Sequence, residues 1–284
     1  MKKLLLQLDS DKHPSAFDRI VAYDAGVDEV LSYGGVVPAD VASLVHGAIF
    51  TRGPGDLRGT AIWIGGSKAA LGEELQEAAR KAFFGPFRVS LMMDSNGCNT
   101  TAAAAVARLA AAMDFKGRRV AILAGTGPVG LRAAALFARE GASVVLSSRS
   151  LDKARVACER LRVQFGVEVA PAEARDDDGV AGTLKGAHVS LTAGAAATTL
   201  LRRAVWAAHP TLKAMADVNA VPPLGIEGIE ATDKGTERDG KIVFGALGIG
   251  SLKMKVHKTC VARLFERNDG VWDIDEIYGV ARSL

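Results

Sequence analysis

Cysteine is scarce in this chain: Cys98, Cys158 and Cys260 are the only three among 284 residues, and they are far apart. That spacing excludes a disulfide framework, and a reducing, cytoplasmic setting is the default expectation. The five histidines, His13, His46, His188, His209 and His257, show no zinc-like spacing, so no metal site is expected. An excess of one charge is also missing, with 35 Lys and Arg against 32 Asp and Glu and a net charge of +3. The two signs are well mixed, which argues against nucleic acid as a partner. No apolar run approaches the roughly 20 residues of a membrane-spanning helix, so no membrane partner is expected. The start, Met1 to Asp9, carries an apolar run too short for a signal peptide and reads as a first strand. Internal repeats and low-complexity linkers are absent as well.

What is present is a run from Arg119 to Ser150 with the pattern strand, glycine turn, helix, strand. Val120 to Ala124 reads as a buried parallel strand, and Gly125-Thr126-Gly127-Pro128-Val129-Gly130 follows it at once as G-x-G-x-x-G. Leu131 to Glu140 is compatible with a helix and Ala142 to Leu146 with the next strand. In such a unit the first glycine allows the tight turn, the second lets backbone approach a pyrophosphate, and the third lets helix and strand pack closely. The helix N-terminus offers unpaired N–H groups and the positive end of its dipole to phosphate. A site for NAD usually places an acid at the end of the second strand, to hold the ribose 2′-OH. Here that place holds Ser147-Ser148-Arg149-Ser150, with Lys153 one turn further on. A guanidinium can pair a 2′-phosphate bidentately and serines can donate to it, so NADP is the expected cofactor. Ser150 is also placed to cap the next helix, with Arg149 as a solvated charge; a cap and a clamp can share one loop.

At this length the chain has room for two domains. Strands are expected at Leu4–Leu8, Glu29–Tyr33, Gly47–Thr51, Ala61–Ile64 and Arg88–Met93, with helices at Ser15–Tyr23, Ala39–Val45 and Lys68–Phe83. An alanine-rich helix at Asn99–Met113 leads into the nucleotide fold. That fold continues with strands at Val167–Val169, His188–Thr192, Lys213–Asp217 and Ile242–Phe244, and helices at Leu151–Phe165 and Arg202–Ala208. The chain is helical again from Ser251 to about Glu266 and from Asp273. The expected fold is α/β with two domains. Residues 1–113 plus about 252–284 make a parallel α/β domain, 114–251 make a Rossmann-type NADP-binding domain, and the C-terminal helices pack back on the first domain.

Ligands in such sheets bind beyond the carboxyl ends of the strands, and several polar or glycine-rich loops fall there. Asp94-Ser95-Asn96-Gly97-Cys98-Asn99-Thr100-Thr101 gathers a carboxylate, amides and hydroxyls at a helix start. An Asx turn and a helix cap account for part of it, and a substrate for the rest. Thr192-Ala193-Gly194 follows a strand and joins the cofactor candidates. Asp217 to Pro223 is a proline-stiffened connection in which Asn219 can reach the nicotinamide end. Gly245 to Gly250 is small enough to admit a ligand, or is an ordinary bend. On the helix after it, at about 100° per residue, Leu252, Met254, Val256, Cys260, Val261, Leu264 and Phe265 cover one broad arc. Lys253 and His257 point into that arc, while Lys255 points away from it. A lysine on an apolar face snorkels, pairs with an acid or lines a cleft. Asp18 is a possible carboxylate partner, and Ser15 to Asp18 is equally a capping-box-like helix start.

With these motifs in view, the whole chain resembles the NADP-dependent methylene-tetrahydromethanopterin dehydrogenases of bacterial one-carbon metabolism. The resemblance is carried by Phe83 to Ser90, Asp94 to Gly97 with Asn99 to Thr101, and Leu123 to Gly130. It continues in Asn219-Ala220 with Pro222 to Ile226, in Ala231 to Gly235, and in Phe244 to Gly250. It departs at Ser147 to Ser150, where some relatives carry Gly-Arg-Lys; the arginine is kept and the lysine is not. The resemblance implies oxidation of a pterin-bound methylene to a methenyl group with reduction of NADP. The carrier would be tetrahydromethanopterin, tetrahydrofolate or both. It also implies a cleft between the domains, a homo-oligomer, and a catalytic lysine that maps onto Lys253, with Lys255 as the fallback. On this reading Asp18 or Asp94 favours the developing cation, while Ser95, Asn96, Gly97, Asn99, Thr100 and His257 contact the pterin. Shikimate-type or amino-acid dehydrogenases, a dehydrogenase–cyclohydrolase acting on folate and a non-enzymatic NADP-binding regulator are the competing expectations.

Overall fold

The computed structural model describes all residues, Met1 to Leu284. In chain order the elements begin with β1 (Leu4–Asp9), α1 (Ala16–Asp24), β2 (Glu29–Tyr33), α2 (Pro38–Ile49), β3 (Thr60–Gly65), α3 (Ala69–Ala82), β4 (Ser90–Met93) and α4 (Cys98–Ala112). They continue with β5 (Arg119–Leu123), α5 (Pro128–Arg139), β6 (Ser143–Ser148), α6 (Leu151–Arg160), β7 (Ala170–Glu173), α7 (Asp177–Leu184), β8 (Val189–Thr192) and α8 (Arg203–Trp206). The last are β9 (Ala214–Asp217), β10 (Lys234–Arg238), β11 (Lys241–Phe244), α9 (Ala246–Arg263), β12 (Val271–Trp272) and α10 (Ile274–Ser283). Two compact units result, Met1–Thr100 with Met254–Leu284, and Thr101–Lys253.

The first unit holds a sheet in the order β12-β4-β3-β1-β2, parallel throughout. β3, Thr60-Ala61-Ile62-Trp63-Ile64-Gly65, lies inside the sheet and is buried along its whole length, as a parallel strand covered on both faces must be. Helix starts follow local chemistry. Ser15 Oγ accepts from the Asp18 N–H at 3.2 Å and caps α1. Asp273 and Glu276 form a full capping box on α10.

The second unit holds a sheet in the order β10-β11-β9-β8-β5-β6-β7, in which only β10 runs antiparallel. Numbered from β5 as the first strand of the unit, the parallel strands run 3-2-1-4-5-6, the doubly wound dinucleotide-binding order. Its switch point lies between β5 and β8. Trp206, Met215, Leu201, Ile226 and Val243 are buried in this unit's core, each large aliphatic contributing about 1.5–3 kcal/mol.

Several expectations need correction. Gly47 to Thr51 is not a strand. α2 runs on to Ile49, because Val41, Val45, Ala48 and Ile49 keep one buried face at helical spacing. The strand expected at Val167–Val169 lies at β7 instead, after Gly166 has turned left-handed at φ +67°. Gly245 to Gly250 is neither a loop nor a bend, since all but Gly245 belong to the first turns of α9. A Cβ on Gly248 would lie 1.9 Å from the Asp233 carbonyl oxygen, and one on Gly245 2.1 Å from that of Glu230. These glycines therefore serve close packing of the α9 start on that segment. α7, β10 and β12 had no counterpart in the sequence pattern. Asp176, whose carboxylate accepts from the Gly179 N–H at 2.9 Å, caps α7.

Candidate functional site: a dinucleotide turn and a polar strand-end cluster

In the second unit the turn from Gly125 to Gly130 leaves β5 at the switch point. A Cβ on Gly125 would come 2.6 Å from Ile122 Cγ2, and one on Gly130 would come 2.3 Å from the Gly125 carbonyl oxygen. Both are closed to any side chain. Gly127 differs: it is the N-cap of α5 in extended backbone, φ −78° and ψ 171°, and a Cβ there would meet nothing within 4 Å. Thr126, Pro128 and Val129 are half-buried around it. Pro128 at N1 sets the helical φ without removing a needed donor. The turn thus offers open space at a helix N-terminus, the shape that suits a pyrophosphate.

At the tip of β6, Ser147 is fully buried, and its Oγ donates to the Ile122 carbonyl at 3.4 Å, a packing role. Ser148 Oγ accepts from the Ser150 N–H at 3.5 Å. Ser150 stands at the N-cap of α6 and makes no side-chain capping bond. Arg149 and Lys153 are exposed and form no ion pair within the chain. No carboxylate occupies residues 147–150.

Beside the turn, Thr192 ends β8, and its Oγ1 donates to Asp217 Oδ1 at 2.7 Å. Asp217 also accepts from the N–H groups of Asn219 at 3.0 Å and Gly225 at 2.7 Å. Burial pushes its carboxyl above the ordinary value, against the pull of these bonds. Asn219 Nδ2 donates to the Val221 carbonyl at 3.1 Å and Oδ1 accepts from the Val221 N–H at 3.0 Å, so the side chain organises its own loop. The Ala193 N–H donates to the Leu123 carbonyl at 3.1 Å, and a Cβ on Gly194 would come 3.0 Å from that of Ala124. Thr192 to Gly194 therefore lies directly against the end of β5.

In the first unit Asp94 follows β4 directly and organises α4. Its Oδ1 accepts from the N–H groups of Asn99 at 2.8 Å and Thr100 at 2.9 Å, and its Oδ2 from Thr100 Oγ1 at 2.6 Å. Asn99 Nδ2 donates to the Met93 carbonyl at 2.7 Å and to Asp273 Oδ1 at 3.1 Å. Ser95 Oγ donates to the Gly65 carbonyl at 2.9 Å. Asn96 is exposed and, like Gly97, left-handed, at φ +57° and +59°. Much of this polar loop is thus the scaffold of a helix start.

On α9, His257 is buried, Lys253 half-buried and Lys255 exposed, as the 100° spacing requires. The His257 ring stacks on Trp63 at 4.5 Å and 7° and lies 6.1 Å from Phe17. Asp9, Trp63, Gly65 and Asp18 converge near that stack. No sequence motif points to Asp9 or Trp63; the one signal is a glycine pair closing an apolar strand.

The strand order and the glycine turn at its switch point define a doubly wound fold of the dinucleotide-binding class. Two relatives make the class specific. Over 285 residues the chain is 53% identical to the bifunctional protein MdtA of Methylorubrum extorquens, covering 100% of this chain and 99% of that protein. Over 278 residues it is 34% identical to the NAD(P)-dependent methylenetetrahydromethanopterin dehydrogenase of the same organism, covering 94% and 93%. Residues 16–96 match the family model described as methylene-tetrahydromethanopterin dehydrogenase, N-terminal. The chain belongs to the methylene-tetrahydromethanopterin dehydrogenase family and is a nicotinamide-dependent oxidoreductase. Solved structures share the fold. Shikimate 5-dehydrogenase of Listeria monocytogenes with shikimate and NAD gives a TM-score of 0.55 at 13% identity, covering 98% of this chain and 96% of that one. Quinate dehydrogenase of Corynebacterium glutamicum with NAD gives 0.52 at 14%, covering 100% and 99%.

Proposed function

We propose that the chain oxidises the methylene group of methylene-tetrahydromethanopterin, and of methylene-tetrahydrofolate as a second carrier, with NADP as the hydride acceptor. The observation that carries the NADP reading is Arg149, an exposed guanidinium without a partner at the tip of β6, where no acid stands. The dinucleotide supplies a nicotinamide C4 that accepts a hydride. The residues of the chain bind and orient. Gly125, Thr126, Gly127, Pro128, Val129 and Gly130 present the α5 N-terminus to the pyrophosphate. Arg149, with Ser148 and Lys153 beside it, holds the 2′-phosphate, and the end of β8 at Thr192 to Gly194 borders the same switch point.

The oxidised product is a cation shared by two nitrogens. A carboxylate favours it and a lysine beside it opposes it. Asp18 or Asp94 takes the stabilising role; three hydrogen bonds from the α4 start also orient the Asp94 carboxylate. Lys253 orients the pterin and pairs with an acid; no proton has to leave the carbon. Holding donor and acceptor carbons at roughly 3–3.5 Å contributes on the order of 7–11 kcal/mol. A homo-oligomer in the cytoplasm completes the proposal.

One spectrophotometric series tests it, with both methylene carriers against NADP+ and NAD+. Turnover with NADP+ ahead of NAD+ is the expected result. Dinucleotide binding without turnover on either carrier would leave a regulator. Hydrolysis of the methenyl product would add a cyclohydrolase, a second activity that the name of the 53% identical relative, bifunctional protein, makes worth measuring.

A further inference from the structure

Asp217, at the end of β9, is 1% exposed, and its carboxylate collects four donors. They are Thr192 Oγ1 at 2.7 Å and the N–H groups of Asn219 at 3.0 Å, Gly225 at 2.7 Å and Ile226 at 3.4 Å. One donor belongs to the neighbouring strand end and the others to both ends of the loop that follows, so a single side chain closes the loop 218–224. Gly225 belongs to that closure: a Cβ there would lie 2.6 Å from Asp217 Oδ1 and 3.0 Å from Thr192 Oγ1. Inside the loop Asn219 holds Val221 by both backbone groups, accepting from its N–H at 3.0 Å and donating to its carbonyl at 3.1 Å. It also donates to the Pro223 carbonyl at 3.3 Å. Val221 itself is 51% exposed. An apolar side chain that gains nothing from burial is thus carried on pinned backbone, and the carboxylate that closes the loop is a group costly to bury unless it is fully hydrogen-bonded.

The place of this loop in the sheet gives it a task. In a doubly wound unit each half serves one mononucleotide: β5, β6 and β7 the adenine side, and β8, β9 and β11 the nicotinamide side. The loop after β9 stands on the nicotinamide side. It is tied to the dinucleotide turn through the end of β8, where the Val218 N–H donates to the Thr192 carbonyl at 3.3 Å and the Ala193 N–H to the Leu123 carbonyl at 3.1 Å. A nicotinamide ring is flat, with apolar faces and one carboxamide at its edge. An unyielding apolar wall against one face fixes its tilt and leaves the other face of C4 open to the hydride. We propose that Val221 is that wall, and that Asp217 and Asn219 are positioning residues that hold it against the ring face turned away from the hydride donor. The inference rests on the cofactor placement proposed above and adds the group that orients the nicotinamide.

The test is a nuclear Overhauser measurement on the whole protein with labelled valine methyls, in which V221A assigns the Val221 signals. Contact between these methyls and the nicotinamide ring protons of bound NADP+ is expected. Adenosine 2′,5′-bisphosphate, which lacks the ring, is expected to leave the signals in place. V221A is expected to lower kcat about tenfold, with the KM for the methylene carrier and the affinity for adenosine 2′,5′-bisphosphate unchanged. Thr192→Val, which removes the hydroxyl that donates to Asp217, is expected to lower kcat in the same way, and Thr192→Ser to restore it. A lower Tm in Thr192→Val with kcat intact would leave Asp217 only a structural part and overturn its positioning role. Bound NADP+ that makes no contact with the Val221 methyls overturns the inference and leaves the cofactor reading standing. Contact without turnover on either carrier supports the inference and overturns the proposed reaction, and failure of NADP+ to bind at all overturns both.

Discussion

An alanine methyl at Gly130 would push into the Gly125 carbonyl at 2.3 Å, and backbone cannot yield as a side-chain tip can. Gly130→Ala is therefore expected to lower stability by about 1–3 kcal/mol, read from the urea midpoint. Three residues earlier the same methyl meets nothing. Gly127→Ala is expected to unfold within about 0.5 kcal/mol of the wild type. On the proposed cofactor placement its methyl stands in the path of the pyrophosphate, so the NADP Kd is expected to rise about tenfold, or 1.4 kcal/mol. Equal affinity in a folded Gly127→Ala would remove this turn from the cofactor site. Lys253→Ala separates the other half of the reaction. Turnover on the pterin is expected to fall on the order of a hundredfold through lost positioning, with NADP affinity near normal by fluorescence titration. Undiminished turnover in the folded variant takes Lys253 out of the site.

At the scale of elements, the segment from Glu230 to Arg238 is held by one carboxylate. Asp233 accepts from Arg238 Nε at 2.7 Å and from the Glu230 N–H at 2.8 Å. Burial alone would raise its carboxyl, but these bonds outweigh burial and hold it below the ordinary value of 3.8. A depressed folded pKa contributes stability above the unfolded value and loses it as pH falls through the folded one. Asp233→Asn is thus expected to be less stable than wild type in urea at pH 7. The gap narrows as pH drops below 3.8; a gap independent of pH would deny the charge its part. The same segment explains a limit of legibility. Strands such as β2 and β5, and helices such as α3, are plain from apolar spacing because their own residues decide them. The start of α9 is not, because Gly245 and Gly248 look like a loop until the carbonyls of Glu230 and Asp233 are in place. α7 hides for a different reason: its first turn is Asp177-Asp178-Gly179, polar enough to read as coil, and Asp176 caps it. β10 is exposed along most of its length and has no alternation to betray it.

For the whole molecule, the dinucleotide unit was legible because one contiguous stretch, Arg119 to Ser150, carries strand, turn, helix and second strand. The contacts around Gly65 and the Trp63–His257 stack in the first unit were not, because they join Asp9-Ser10, Asp18, Trp63 to Gly66 and His257, which no local pattern links. Binding linked to folding gives a prediction at this scale. NADP+ at a hundredfold its Kd is expected to add about 2.7 kcal/mol to the unfolding free energy. Arg149→Ala, exposed and unpartnered in the free chain, is expected to match wild type without nucleotide and to lose most of that gain at the same concentration. Calorimetry with and without NADP+ checks both halves, and a full gain in the variant would deny Arg149 the phosphate.

The seven-stranded sheet ends in β7 on one side and β10 on the other. β7 carries Pro171, which has no N–H to offer a newcomer. β10 is broken by an irregular step between Lys234 and Thr236 and carries the exposed charges Lys234 and Glu237. Both margins are blunted against strand addition, so crowded copies of this protein find no template there for stacking into fibres.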